Sequence, residues 1–287
     1  MDNNENIKNW MECCRPADEK SERLSELGSV ELWNRRADGF AKKLKPANRR
    51  ERMQIIFEML DEVGFNADGA KVLDIGCGPG AISIPLAKAG ADVTAVDISP
   101  KILGYIASNA KEEGVSMKTV ECSWWTADID ELGFRNNFDL VINSMTPAVK
   151  DFETFDRMVA CSRKYCFYGH FIRRGAGGIP DEIYRDILKT EPPKRSGEAM
   201  SPFINNFMYL YLKGIRPVVR ISSRSRKKDF DKSGAAEMVI NALEMKKSCS
   251  FVIKEQIRDY FKNTSEEKYS MSSGVSTGMM VWNINRL

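Results

Sequence analysis

Up to residue 64 the apolar positions recur at helical spacing; from Lys71 onward they gather into short continuous runs. In "RRERMQIIFEMLDEVG", Ile56, Met59, Leu60 and Val63 fall at i, i+3, i+4 and i+7, which places them on one helical face. Upstream, "VELWNRRADGFAKKLK" (Val30–Lys45) predicts a helix that stops before Pro46. After Lys71, runs and helical segments alternate. "KVLDIG" leads to a helix at 81–89, "DVTAVDI" to one starting near Ser99, and "MKTVEC" to the segment around Asp128–Leu132. "FDLVINSM" leads to a helix at 151–163, and "YCFYGHFI" closes the series. Short apolar strands separated by helices specify an α/β fold with a parallel sheet covered on both faces.

Past His170 the rhythm breaks. "RRGAGGIP" reads as a loop, 181–218 as mostly helical including "SPFINNFMYLYLKG", and "RPVVRISSRSRKKDF" as a strand running into a basic turn. Helical patches at 233–246 and 252–262 precede "STGMMVWNI", a final strand. The expected organisation is a helical lid over 1–47, a core over 48–175, a helical insertion on the substrate side over 176–218, and C-terminal strands and helices over 219–287 that complete the core.

Composition narrows the classes. A net charge of +3 on 287 residues makes no case for a nucleic-acid partner, and Arg224–Lys228 reads as a solvated hairpin. No apolar stretch approaches the ~18 residues that span a membrane, and the polar, acidic start "MDNNENIKNW" is not a secretory signal, so a cytoplasmic location is expected. The seven cysteines form no C-x-x-C pair and His170 is the only histidine, so no structural metal site is expected and the thiols read as free. A thiophilic metalloid substrate on Cys13, Cys14 and Cys122 stays open as a minor alternative.

The chemistry sits in "VLDIGCGPG" (Val72–Gly80). Glycines at alternate positions after a strand and before a helix give a turn that a ligand can approach closely. The spacing is not the G-x-G-x-x-G of dinucleotide sites, and no Gly-Lys-Ser/Thr follows as in a P-loop. Asp74, two residues before Gly76, would repel a pyrophosphate and suits a ligand with a cationic end. Asp97, ending the next strand in "VTAVDIS", stands where a carboxylate accepts hydrogen bonds from ribose hydroxyls. An adenosine with an amine-bearing arm satisfies both.

"VLDIGCGPG" with "VTAVDIS" resembles motifs I and II of the class I S-adenosylmethionine-dependent methyltransferases, closest to small-molecule enzymes such as the quinone-biosynthesis C-methyltransferases, over roughly residues 50–175 plus the final strand. The resemblance implies a Rossmann-like, mostly parallel seven-stranded sheet whose last strand is antiparallel, with S-adenosyl-L-methionine as cofactor. It implies that Asp74 orients the methionyl amine and that Gly76, Cys77, Gly78 and Gly80 floor the methionyl arm. Asp97 would bind the ribose and Ile98 would lie against the adenine. After the third strand, "CSWW" puts Ser123 and Trp124 where the family often has an acidic and a small residue, so Ser123 or a backbone group would meet the adenine amine; Trp124 either stacks or packs. In "NSMTPA", Asn143 would contact the methionyl end and Met145 would wall the pocket.

That stretch lacks the Asn/Asp-Pro-Pro-Tyr tetrad of amino-directed enzymes and a Pro-Cys nucleophile. The expected function is therefore methyl transfer to a small-molecule acceptor. An RNA or protein methyltransferase, a metalloid methyltransferase and a non-catalytic cofactor-binding module remain alternatives. Trp33 and Phe40, seven apart on one helical face, are expected to roof the pocket with the insertion at 181–218, which is rich in Phe207, Met208, Tyr209 and Tyr211. No catalytic residue is assigned. His170 is the one candidate general base and shares a strand face with Tyr168, but the reading adopted is a structural histidine, because the sulfonium donor is already activated.

Overall fold

The computed structural model describes residues 3–14, 27–43, 46–174, 179–192, 201–244, 249–266 and 268–285. The expected loop at 175–178 and the helix end at 44–45 lie outside these residues. The chain divides into two compact units: unit 1 holds residues 1–170, 202–220 and 278–287, and unit 2 holds 171–201 and 221–277. Residues 202–220 thus fall in unit 1 and 221–277 in unit 2.

Strands β1 (Lys71–Ile75), β2 (Asp92–Asp97), β3 (Lys118–Glu121), β4 (Phe138–Ser144), β5 (Ser162–Arg174), β6 (Val218–Phe230) and β7 (Tyr269–Asn283) form one sheet in the order β3-β2-β1-β4-β5-β7-β6. β1 to β5 pair in parallel, with Asp74 opposite Ala95 and Ile142, and Asn143 opposite Tyr168. β7 runs antiparallel to β5. The N–H of Ile284 donates to the Lys164 carbonyl, while Gly169, five residues further along β5, faces Met279, five residues back along β7.

Alternate residues feed two layers. Val72, Val93, Leu140, Ile142, Phe167, Met279 and Val281 pack against helix α3 (Pro46–Glu62), through Ile56, Met59 and Leu60, and against Leu86 of α4 (Ser83–Lys88). Pro85 fits the third position of α4, where its missing N–H has no intrahelical acceptor to lose. On the other face, Phe155 of α6 (Phe152–Ala160) packs edge-on to Tyr168 at 5.5 Å and along Trp282 at 5.8 Å. Tyr209 of α7 (Pro202–Leu212) closes on Phe155 at 6.2 Å. Helix α5 (Pro100–Glu112) is capped by Ser99, whose hydroxyl accepts from the Ile102 N–H.

The N-terminal helices dock on this frame. α1 (Asn3–Cys13) meets α7, the Trp10 indole donating to the Asn205 carbonyl at 3.0 Å. α2 (Val30–Lys43) packs on α5 and buries Leu32 and Ala37. The rings of Trp33 and Phe40 stack on each other at 6.1 Å, and Phe40 is 40% exposed. The small Ala37 allows close helix approach, and Asn34 and Asp38 beside it supply polar anchors to Ser99, Lys101 and Tyr105.

In unit 2, α8 (Lys232–Glu244) and α9 (Phe251–Asn263) share a core of Ala235, Val239, Ile240, Ile257 and Phe261 with Ile183 of a π-helical turn at Ile183–Ile187. The expected basic turn is corrected: Arg224–Lys228 lie inside β6, at the edge of the sheet.

Candidate active site

Three glycines carry the chain out of β1 in left-handed conformations, with φ of 66° at Gly76, 55° at Gly78 and 93° at Gly80. The N–H groups of Gly76 and Cys77 both donate to the Val96 carbonyl, at 2.8 and 3.0 Å, tying the loop to β2. A Cβ at Gly76 would fall 2.3 Å from the Thr146 hydroxyl, so the loop after β4 lies directly on it. At Gly78 the same construction meets nothing within 4 Å, which leaves open space beside the backbone.

Two buried carboxylates flank this loop. Asp97 accepts from the Ser99 N–H at 3.0 Å and the Gly78 N–H at 3.2 Å. Burial pushes its pKa up, and those backbone donors pull it back. Asp74, 3% exposed, accepts from the Ser83 hydroxyl. Burial raises it to about 6 against the pull of that hydroxyl, with the Asp97 charge adding to the rise and Arg52 opposing it.

Arg52 is the functional candidate that reading the sequence missed. It projects from α3, donates to the Ser144 hydroxyl at 2.6 Å, and lies near enough to Asp74 for each charge to favour the other. Its signal was present: Arg52, Ile56 and Met59 fall at i, i+4 and i+7, so a cation stands on the buried stripe.

The other expected residues divide. Ile98 and Ser123 are half-buried beyond the ends of β2 and β3, and the Cys122 N–H donates to the Asp97 carbonyl at 3.0 Å. Asn143 is wholly buried; its amide donates toward the Ile75 carbonyl at 3.4 Å and its Oδ1 has no protein partner. Met145 takes a left-handed turn at φ 61°, its N–H bound to the Gly169 carbonyl at 2.8 Å. Trp124 turns away: its indole donates to the Thr154 carbonyl of α6 at 3.1 Å, and it is 3% exposed, so it packs. The His170 ring lies parallel to Tyr168, 6.1 Å between centroids. Among the described residues no His, Cys, Asp or Glu cluster could hold a metal, so Cys13, Cys14 and Cys122 make no such group.

The set runs in one direction along the carboxyl edge of the sheet: half-buried Ser123 and Ile98, carboxylate Asp97, open backbone at Gly78, carboxylate Asp74, then Arg52 with Ser144. A planar base, a diol, a cationic amine and a carboxylate would meet complementary groups in that order, and the open space at Gly78 admits the arm. The residues present fit S-adenosylmethionine.

Comparison with known proteins finds methyltransferases. A family model described as a methyltransferase domain matches residues 72–164. A ubiquinone biosynthesis O-methyltransferase of Rhizobium leguminosarum bv. trifolii is 38% identical over 98 residues, covering 33% of this chain and 36% of that protein. One from Sinorhizobium fredii is 36% identical over 151 residues, covering 52% and 55%. The chain thus spans about a third to just over half the length of these curated relatives. They are O-methyltransferases, where the resemblance had pointed to C-methyltransferases of quinone biosynthesis. Among solved structures, magnesium protoporphyrin IX methyltransferase of Synechocystis, with S-adenosylmethionine bound, aligns over 97% of both chains at 14% identity and a TM-score of 0.40.

Proposed function

We propose that this chain, whose residues 72–164 match a methyltransferase domain, is a class I S-adenosylmethionine-dependent methyltransferase that transfers the methyl group to a small-molecule acceptor by in-line displacement. The observation that carries the reading is the pair of buried carboxylates, Asp74 and Asp97, on either side of the glycine loop.

Asp74 holds the methionyl amine and Arg52 the methionyl carboxylate. Gly76, Cys77, Gly78 and Gly80 floor the arm, Asp97 takes the ribose diol, and Ile98 and Ser123 border the adenine. Asn143 offers its unpaired Oδ1 to the amine end, and Met145 walls the methyl. Bound S-adenosylmethionine supplies an activated methyl on a sulfonium; the protein's part is to orient it and exclude water. No helix among the described residues is long and apolar enough to cross a membrane, and the acceptor is read as a free small molecule.

Calorimetric titration with S-adenosylhomocysteine tests the site. Asp97→Ala should weaken binding by about 1.5–3 kcal/mol, the loss for hydrogen bonds to a charged group, and should weaken methylthioadenosine equally, because both ligands carry the ribose. Unchanged affinity removes Asp97 from the site. Mass spectrometry of a metabolite extract incubated with methyl-labelled cofactor then identifies what gains the methyl group.

A further inference from the structure

We propose that Trp125 is a positioning residue for the cofactor: its indole clasps the loop after β4 over the crevice, and the nucleoside enters and leaves only when that clasp opens. The proposal rests on the cofactor reading above. The order of strands makes the clasp a bridge. β3 and β4 flank β2 and β1, the two strands that carry Asp97 and Asp74. Three spacings of about 4.8 Å put the ends of β3 and β4 roughly 14 Å apart. Yet the Trp125 indole, from the segment after β3, donates to the carbonyl of Pro147, from the loop after β4, at 3.1 Å. The contact therefore spans the carboxyl ends of both carboxylate strands.

Each side of the bridge is anchored. After β3, the Cys122 N–H donates to the Asp97 carbonyl at 3.0 Å. The Trp124 indole donates to the Thr154 carbonyl, and the Trp124 carbonyl accepts from Arg157 at 2.6 Å, so α6 fixes the residue before Trp125. After β4, the Met145 N–H is bound to the Gly169 carbonyl at 2.8 Å and the Lys150 N–H to the Thr154 hydroxyl at 3.0 Å. Between those two pins Thr146 stands on Gly76, and Pro147 meets Trp125. The contacts close a circuit around the open backbone at Gly78: Gly78 to Asp97, Cys122 to Asp97, Trp125 to Pro147, Thr146 to Gly76. A nucleoside held by Asp97 lies inside that circuit.

Opening the clasp is a local event. One hydrogen bond makes it, and Lys150 supports it, its ammonium 4.5 Å from the centre of the Trp125 ring. Met145 takes the left-handed conformation at φ 61° without being glycine, so the β4 loop begins at a strained joint. Trp125 is half-buried and Lys150 exposed, so neither is locked into the core.

Trp125→Phe keeps an aromatic ring and removes the donor. In stopped flow, S-adenosylhomocysteine should then associate and dissociate about fivefold faster, the weight of one hydrogen bond, while its calorimetric Kd moves by less than about twofold. Methylthioadenosine should respond alike, because the clasp acts at the nucleoside. Lys150→Met, at an exposed position, should quicken both rates by about twofold, and it carries the test alone if Trp125→Phe does not fold. Unchanged rates in both variants overturn the proposal and leave the cofactor reading intact. Faster release with unchanged association also overturns it, because a ring that only packs on the ligand slows its escape without barring its entry. Failure of the wild-type protein to bind either ligand overturns the cofactor reading and the proposal together.

Discussion

Asp74→Asn should make the free protein more stable at neutral pH while removing its grip on the cofactor. Burial raises Asp74 from 3.8 to about 6. At pH 7 the carboxylate is ionised in both states, and at 1.36 kcal/mol per pH unit its burial costs the fold about 3 kcal/mol. The amide keeps an oxygen for the Ser83 hydroxyl, and the lost attraction of Arg52 is already contained in that figure, so the net gain is about 2–3 kcal/mol. At about 2–4 °C per kcal/mol, the melting temperature should rise by about 4–12 °C. The sign with pH follows from the raised pKa. Below 3.8 wild-type Asp74 is protonated folded and unfolded, and the variant gains nothing. Between 3.8 and 6 the wild type loses stability relative to the variant as pH rises, and above 6 the difference is constant. Urea denaturation at pH 4 and pH 7, alongside titration with S-adenosylhomocysteine, measures both halves. A variant less stable than wild type at pH 7, or a gain equal at both pH values, would refute the reasoning.

Cofactor affinity should depend on the same ionisation: with Asp74 holding an ammonium, Kd for S-adenosylhomocysteine rises about tenfold per pH unit below 6 and is level above it. A Kd unchanged from pH 7 to pH 5 in calorimetry would separate Asp74 from the amine. Arg52→Gln should weaken S-adenosylhomocysteine by about 1.5–3 kcal/mol and leave methylthioadenosine, which has no carboxylate, unaffected; equal losses for both ligands would show a structural role. Asn34→Ala, which removes the acceptor of the Ser99 hydroxyl, should cost about 1 kcal/mol or less of stability yet speed S-adenosylhomocysteine release several-fold in stopped flow. An unchanged rate would detach α2 from the site.

The glycine loop and both carboxylates were legible because their chemistry is local: a strand, a turn and a helix start within one short stretch, and each side chain faces the loop that follows it. What failed to read is what tertiary partners decide. The α2 sequence offers two faces, and only tertiary contact shows that α5 meets the one where Asn34, Ala37 and Asp38 stand at i, i+3 and i+4. Arg52 lies outside the motif and contributes only through the approach of α3 to β4. The basic run at 224–228 has the composition of a turn, yet β6 is an edge strand, where charge along the chain is stabilising against unwanted pairing. Trp124 and Trp125 are adjacent in sequence, but successive backbone turns send one indole to the Thr154 carbonyl and the other to that of Pro147.

The charges of the crevice are best understood as one set. Each of Asp74, Asp97 and Arg52 is unfavourable where it lies, and each is only partly compensated by a hydroxyl, a backbone N–H or a neighbouring charge. A fold selected for stability alone would replace buried charges of this kind with apolar residues. Their arrangement has a rationale once a ligand brings an ammonium to Asp74, a diol to Asp97 and a carboxylate to Arg52, because each then completes a pair already oriented and desolvated. On the proposed reading the same arrangement would reject a dinucleotide, whose pyrophosphate would enter between two carboxylates with its own charge unmatched. Selectivity for a nucleoside with an amino-acid arm would then follow from charges that the free protein holds at a cost to its stability.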